Sequence, residues 1–334
     1  MTGPTRLSLD AAQALLARAL ERADTSPANA AIVAAALVRA EADGQRGHGL
    51  SRLPSYAAQS RVGKVDGHAE PRVEEVRPAA LRIDAAHGFA YPAMAVALPE
   101  LGARARTHGI AAAAIHRSHH FGVAGHPCED LAAEGLAAFI YGNSPRAIAP
   151  AGAARPLLGT NPIAFAAPMA EGPPLVIDLA LSRVARGKIL AAQKAGETIP
   201  EGWALDPEGQ PTTDPAAAIA GSMIAIGEAK GAALALMVEV MAAALAGAQF
   251  GFEASSLMNA EGGPPAIGQT ILAVDVSALS GGAFGARMGD LAAAYAEVGA
   301  RLPGTRRLAA RAAAEREGIA VAPALLAEIQ ALAE

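Results

Sequence analysis

His108-Gly109-Ile110-Ala111-Ala112-Ala113-Ala114-Ile115-His116-Arg117-Ser118-His119-His120-Phe121-Gly122 carries the change of rhythm on which the fold reading turns. Upstream, residues 92–108 have helical spacing, and Gly109 ends them because glycine adopts the left-handed C-terminal conformation without steric cost. Residues 110–115 then read as a short, wholly apolar strand. The polar run 116–122 follows as a loop, a helix reaches Glu134, residues 136–141 form a second strand, and Asn143-Ser144-Pro145 reads as a turn. That alternation predicts an α/β protein.

Working outward, Ser8 or Asp10 is placed to cap a first helix, and Ser26-Pro27 to start a second over about 28–42. The loop Gly44-Gln45-Arg46-Gly47-His48-Gly49 and a short helical stretch through Tyr56 come next. Strands are expected at 72–76 and 79–84 around an Arg77-Pro78 turn, at 162–166, at 174–177 ending in Asp178, and at 269–274. Residues 195–215 read as irregular surface, a long helix spans about 230–246, and the remainder is mostly helical.

Hydrophobic residues make up 52% of the 334 positions but aromatics only 4%, so the core must be built from Ala, Leu, Val and Ile. The net charge of −5, without a dense Lys/Arg cluster, offers no track for a nucleic-acid backbone. The single cysteine, Cys128, can form neither an internal disulfide nor a cysteine-rich zinc site and reads as a buried thiol. Residues 1–6 show no charged segment leading into an apolar one, and the Ala-rich runs are broken by Gly or charge before they could span a bilayer. A cytoplasmic protein without membrane association is expected.

No G-x-G-x-x-G follows a strand, and no phosphate loop of the G-x-x-x-x-G-K-[ST] kind is present. His48 lies between two glycines with Arg52 four residues on: an imidazole suited to proton transfer beside a guanidinium suited to a carboxylate, or else a solvated loop. His116, His119 and His120 lack metalloprotease spacing, so no metal is expected, and ligand or structural hydrogen bonding remains. Asn143-Ser144-Pro145 and Gly159-Thr160-Asn161-Pro162 are ligand-presenting turns or plain turn chemistry. Asp178 can accept from ribose hydroxyls or amide groups, or cap the next helix. Lys230 at a helix start and the basic turn Arg301–Arg307 are candidate anion contacts or solvated surface.

Taken in order, these segments resemble the malate/L-lactate dehydrogenase family, which includes ureidoglycolate and sulfolactate dehydrogenases and the Δ1-piperideine-2-carboxylate/Δ1-pyrroline-2-carboxylate reductases. The resemblance spans nearly the whole chain. It is carried by Gly47-His48-Gly49 with Ser51-Arg52-Leu53-Pro54, Ser118-His119-His120-Phe121-Gly122, Asn143-Ser144-Pro145 and the block Pro156 to Phe165. Asp178-Leu179-Ala180, Ala185-Arg186-Gly187-Lys188, Ile199-Pro200-Glu201-Gly202-Trp203, Thr213-Asp214-Pro215 and Lys230-Gly231 continue it.

The resemblance implies an α/β fold that is not Rossmann but sulfolactate-dehydrogenase-like. Its cofactor domain is built on a largely antiparallel sheet, and both chain ends form a second domain. Residues 116–279 would be the NAD(P)-binding domain, and 1–115 with 280–334 the substrate and dimerisation domain of a homodimer. The implied reaction is hydride transfer to or from C2 of a small 2-keto, 2-hydroxy or cyclic 2-imino acid, with NADPH favoured over NADH. His48 would be the acid/base group, with His120 competing for that role, and Arg52 and Thr160 would hold the substrate carboxylate. Cofactor contacts would come from His120, Phe121, Gly122, Val123, Ala124, Ser144, Asp178, Leu179, Ala180, Lys230 and Arg306, with Arg307 helping Arg306 to neutralise a 2′-phosphate.

Two positions depart from the family pattern. Gly47 stands where many relatives carry Ser, so a water would have to replace the hydroxyl beside His48. Lys188 stands where imine-reducing relatives carry Asp, is counted with the catalytic residues, and leans towards hydroxy acids. The double His119-His120 and the Arg-Leu-Pro-Gly turn lean towards imines. The rival reading is a homologue that binds cofactor but has lost catalysis.

Overall fold

The computed structural model describes residues 4–334, so the first three residues of the N-terminal stretch read for targeting lie outside the described residues. β1 (Thr5–Leu7) leads into α1 (Leu9–Glu21), capped by Ser8, whose hydroxyl accepts from the Ala11 amide at 3.2 Å. α2 (Pro27–Ala42) begins as Ser26-Pro27 dictates, with the Ser26 hydroxyl accepting from Asn29 N. Two short 3-10 turns, Arg46–His48 and Leu50–Arg52, join it to α3 (Leu53–Arg61). β2 (Arg72–Arg77) and β3 (Ala80–Asp84) form a hairpin. α4 (Ala90–His108) stops at Gly109, where φ is +82°, and β4 (Ile110–Ser118) follows.

Then come α5 (Gly125–Ala133), β5 (Leu136–Gly142), β6 (Ile163–Ala167), β7 (Leu175–Leu179) and α6 (Arg186–Ala195). The stretch expected to be irregular instead contributes β8 (Ala204–Leu205) and β9 (Pro211–Thr212); after α7 (Pro215–Ala220), β10 (Ser222–Met223) completes a small sheet with them. α8 (Ala229–Glu239) passes into a π-helical turn, Val240–Ala244. β11 (Ile267–Asp275), α9 (Val276–Ser280), α10 (Phe284–Glu297), α11 (Thr305–Glu317), β12 (Ile319–Val321) and α12 (Pro323–Ala333) end the chain.

The main sheet has the order β2-β3-β4-β11-β5-β6-β7, and among the described residues every neighbouring pair except β3–β4 is antiparallel. This is a largely antiparallel α/β sheet, not a Rossmann sheet. α4 and α5 pack on it, burying Leu101 and Leu131 with Ile83, Ile115, Ile140 and Ile271. Alanines at 111 and 113 of β4 keep that interface thin enough for close helix packing. A second core joins α1, α2 and α3 to β12 and α12, and β1 pairs antiparallel with β12, so the two chain ends are tied together.

One strand boundary changes here. β4 does not stop at Ile115: Ser118 pairs with Ile267, and the carbonyls of His116 and Arg117 accept from Ala85 N and His87 N, so backbone pairing carries a polar segment into the sheet. β4 is therefore a nine-residue strand, Ile110–Ser118, between β3 and β11 in the sheet.

Candidate active site

The glycine loop after α2 is shaped by Glu41, whose carboxylate accepts from Leu50 N at 3.0 Å. A Cβ on Gly49 would run into the Glu41 side chain, so this position needs glycine; Gly47, in contrast, faces open space. The fold brings His48 against His120 from the end of β4: His48 Nδ1 lies 3.2 Å from His120 Nε2, with the rings stacked at 5.2 Å. His120 Nδ1 lies 2.5 Å from the Tyr56 hydroxyl, which lies 3.1 Å from that of Tyr91. The side-chain partner of His48 is thus an imidazole.

Arg52 Nε donates to Gly47 O at 2.7 Å, and Nη1 contacts Met258 Sδ at 3.0 Å. Among the described residues no carboxylate pairs with Arg52. Burial, then the charge of Arg52, pushes His48 down to about 4. Burial, with Arg52 and the neighbouring histidines, also holds His120 well below its ordinary value. Burial lifts Tyr91 to about 12 and Tyr56 further still.

The turns bearing Ser144 and Thr160 are held by a residue the sequence reading did not single out. Glu239, buried at the end of α8, accepts from Gly159 N (3.3 Å) and Asn161 Nδ2 (2.9 Å) through one oxygen. Its other oxygen accepts from Gly251 N (3.1 Å) and Asn143 Nδ2 (3.2 Å). The Thr160 and Ser144 hydroxyls come within 3.2 Å of each other. Gly159 permits this approach, because a Cβ there would meet the Ser144 carbonyl.

Val123, Gly125, Asp178 and Leu179 face Pro303, Gly304 and Arg307 across a cavity of about 260 Å³. Phe121 and Ala124 are buried beside it in sequence, and Leu179, Ala180 and Arg306 are exposed. Asp178 caps α5 rather than the helix after it, accepting from Gly125 N at 2.8 Å. Apolar walls, a carboxylate and an exposed arginine next in sequence to Arg307 suit one end of a nicotinamide dinucleotide. Arg307 is not free for that purpose: its guanidinium binds Asp43 (3.1 Å) and Glu129 (2.9 Å), leaving Arg306 alone. Lys188 and Lys230 do not join the His48 group; both are exposed, and Lys188 Nζ lies 6.0 Å from the Trp203 ring centre. Among the described residues no group of three His, Cys, Asp or Glu side chains is arranged to hold a metal ion.

Tyr56 and Tyr91 also went unnoticed in the sequence. Residues 7–330 match the family described as malate/L-lactate dehydrogenase, and the chain belongs to that family. It is 52% identical to a (2R)-3-sulfolactate dehydrogenase (NADP(+)) of Chromohalobacter salexigens, over 98% of both chains. It is 43% identical to a Δ1-pyrroline-2-carboxylate reductase of Ancylobacter novellus, over 99% of this chain and 98% of that one. The structure of Δ1-piperideine-2-carboxylate reductase from Pseudomonas syringae superimposes with a TM-score of 0.93 at 39% identity, covering 98% of this chain and 99% of that one.

Proposed function

We propose that this protein is an NAD(P)H-dependent oxidoreductase that moves hydride to or from C2 of a small 2-keto or 2-hydroxy acid, or of a cyclic 2-imino acid. The observation that carries the reading is the stacked His48–His120 pair beside Arg52, a guanidinium without an acidic partner among the described residues. Bound NADPH supplies the hydride. Arg52 takes the substrate carboxylate, with Thr160 as a second contact, and so turns C2 towards the cofactor. His48 holds the proton exchanged with the substrate oxygen or nitrogen, and His120 stands behind it.

The cavity between the 123–125 and 303–307 segments would take the distant half of the cofactor, with Ser144 and Lys230 as further contacts. NADPH is favoured because Arg306 remains free for a 2′-phosphate and because the sulfolactate dehydrogenase it resembles is named for NADP(+). In this reading residues 116–279 serve the cofactor and the two chain ends serve substrate binding and dimerisation. Exposed Leu236, Val240 and Leu245 near the end of α8 support a homodimer. No helix of the described residues is long and apolar enough to cross a membrane.

The test is loss of reduced-nicotinamide absorbance with pyruvate, oxaloacetate, 2-oxoglutarate, 3-sulfopyruvate, Δ1-piperideine-2-carboxylate and Δ1-pyrroline-2-carboxylate. Turnover of at least one is expected, faster with NADPH. Folded protein that binds NADPH tightly yet consumes none with any of them would favour the non-catalytic homologue instead.

A further inference from the structure

A half-buried histidine beside an arginine is a poor place to store a positive charge. Groups facing His48 and His120 are Arg52, His119, His126 and Tyr56, with no carboxylate among them in the hydrogen-bonding shell. Both imidazoles are therefore neutral at neutral pH, and an acid that waits as an imidazolium is disfavoured. The contacts on the far side of His120 remove the need for one.

We propose that Tyr56 and Tyr91 complete a proton relay that feeds His48 from solvent through neutral groups only. This inference rests on the oxidoreductase reading above. Three contacts fall in line with one consistent set of donors: Tyr91 donates to Tyr56 across 3.1 Å, Tyr56 to His120 Nδ1 across 2.5 Å, and His120 Nε2 to His48 Nδ1 across 3.2 Å. His48 Nε2–H is then left to donate to the substrate. In reduction, the hydride brings an electron pair to C2, and the π pair of the C=O or C=N bond takes the His48 Nε2 proton. His48 Nδ1 takes the His120 proton, His120 Nδ1 takes that of Tyr56, Tyr56 takes that of Tyr91, and a solvent proton restores Tyr91. Every bond in the line reverses polarity, no residue ends charged, and the net change is one solvent proton delivered to the substrate. Run backwards, the same line removes a hydroxyl proton during oxidation.

Two observations support the line as a wire rather than general packing. His119, stacked edge-on against Tyr56, is diverted to the Gln59 side-chain carbonyl at 3.0 Å, so the path does not branch there. Tyr91 is partly exposed whereas Tyr56 is fully buried, and a Cβ on Gly122 would lie 2.6 Å from the Tyr91 hydroxyl. The line thus runs from the fully buried Tyr56 to a residue that is partly exposed, and glycine at 122 leaves its terminal hydroxyl in place. Tyr56 and Tyr91 are positioning residues that act through His48.

The test is single-turnover oxidation of NADPH by an accepted substrate, followed in mixtures of light and heavy water. For the wild type, rate plotted against deuterium fraction should bow, because several protons move together. Tyr56→Phe and Tyr91→Phe should each lower the rate at least about tenfold, straighten the plot and leave KM for the acid within about twofold. If Tyr56→Phe does not fold, Tyr91→Phe decides alone, since its hydroxyl touches only that of Tyr56 among the described hydrogen bonds. An active wild type with Tyr91→Phe unchanged in rate and curvature overturns the relay and leaves the oxidoreductase reading intact. A wild type inert towards every acid removes both.

Discussion

The Arg52 guanidinium spends Nε on the Gly47 carbonyl and Nη1 on the Met258 sulfur, which leaves Nη2 for the proposed substrate carboxylate. Charge-assisted hydrogen bonds of this kind contribute roughly 1.5–3 kcal/mol, so Arg52→Ala should raise KM for the acid by about 10- to 100-fold. KM for NADPH should hardly move; steady-state kinetics on both substrates checks the split. At this scale the sequence marked candidates wherever chemistry and glycine coincided, as at His48 and Arg52, and the fold sets His48 against His120. It was silent on Tyr56 and Tyr91, because a tyrosine at helical spacing looks the same whether its hydroxyl meets a histidine or a core wall. The departure at Gly47 was visible, but its consequence was not: only the fold shows that His120 occupies the far side of the ring.

Among the elements, α8 does the most to assemble the site although no motif marks its end. Glu239 there gathers four donors from three separate turns, so the loops after β5 and before β6 cannot move independently. Glu239→Gln is nearly isosteric but turns one acceptor oxygen into a donor facing other donors. It should cost about 3 kcal/mol or more and lower the melting temperature by about 5 °C or more. Thermal unfolding of the two proteins settles it, and an unchanged melting temperature would deny Glu239 its part. Helix starts at Ser8 and Ser26 were legible because capping is local. The extension of β4 to Ser118 was not, because its cause is pairing with residues far along the chain, and a polar His116-Arg117-Ser118 gives no strand rhythm. The same holds for β8 to β10, which are two-residue strands made by each other.

For the molecule as a whole, α2, α5 and α11 are bolted together by Asp43 and Glu129 with Arg39, Arg307, Arg311 and His126. Burial works upward on Glu129, yet Arg311 and Arg307 outweigh it and bring it to about 2. That contribution is complete above the ordinary carboxylate range and is lost only as pH falls towards 2. The histidines respond earlier. Burial first, with nearby cations, puts His48 at about 4 and His119 at about 3, whereas unfolded histidines take protons near 6.5. Between those values the unfolded chain binds more protons, so stability falls as pH drops below about 6.5. Melting temperatures recorded from pH 7.5 to 5 should decline steadily, and a flat profile would mean these rings are not buried neutral. The same packing of the N-terminal loop against the end of β4 sets the His48 imidazole against His120, the pair on which the proposed mechanism rests. The most direct measurement is therefore the rate of NADPH oxidation by His48→Ala with a keto or imino acid the wild type accepts. A fall of about 10²- to 10⁴-fold with NADPH binding preserved is expected, and a variant that keeps the wild-type rate would contradict the mechanism.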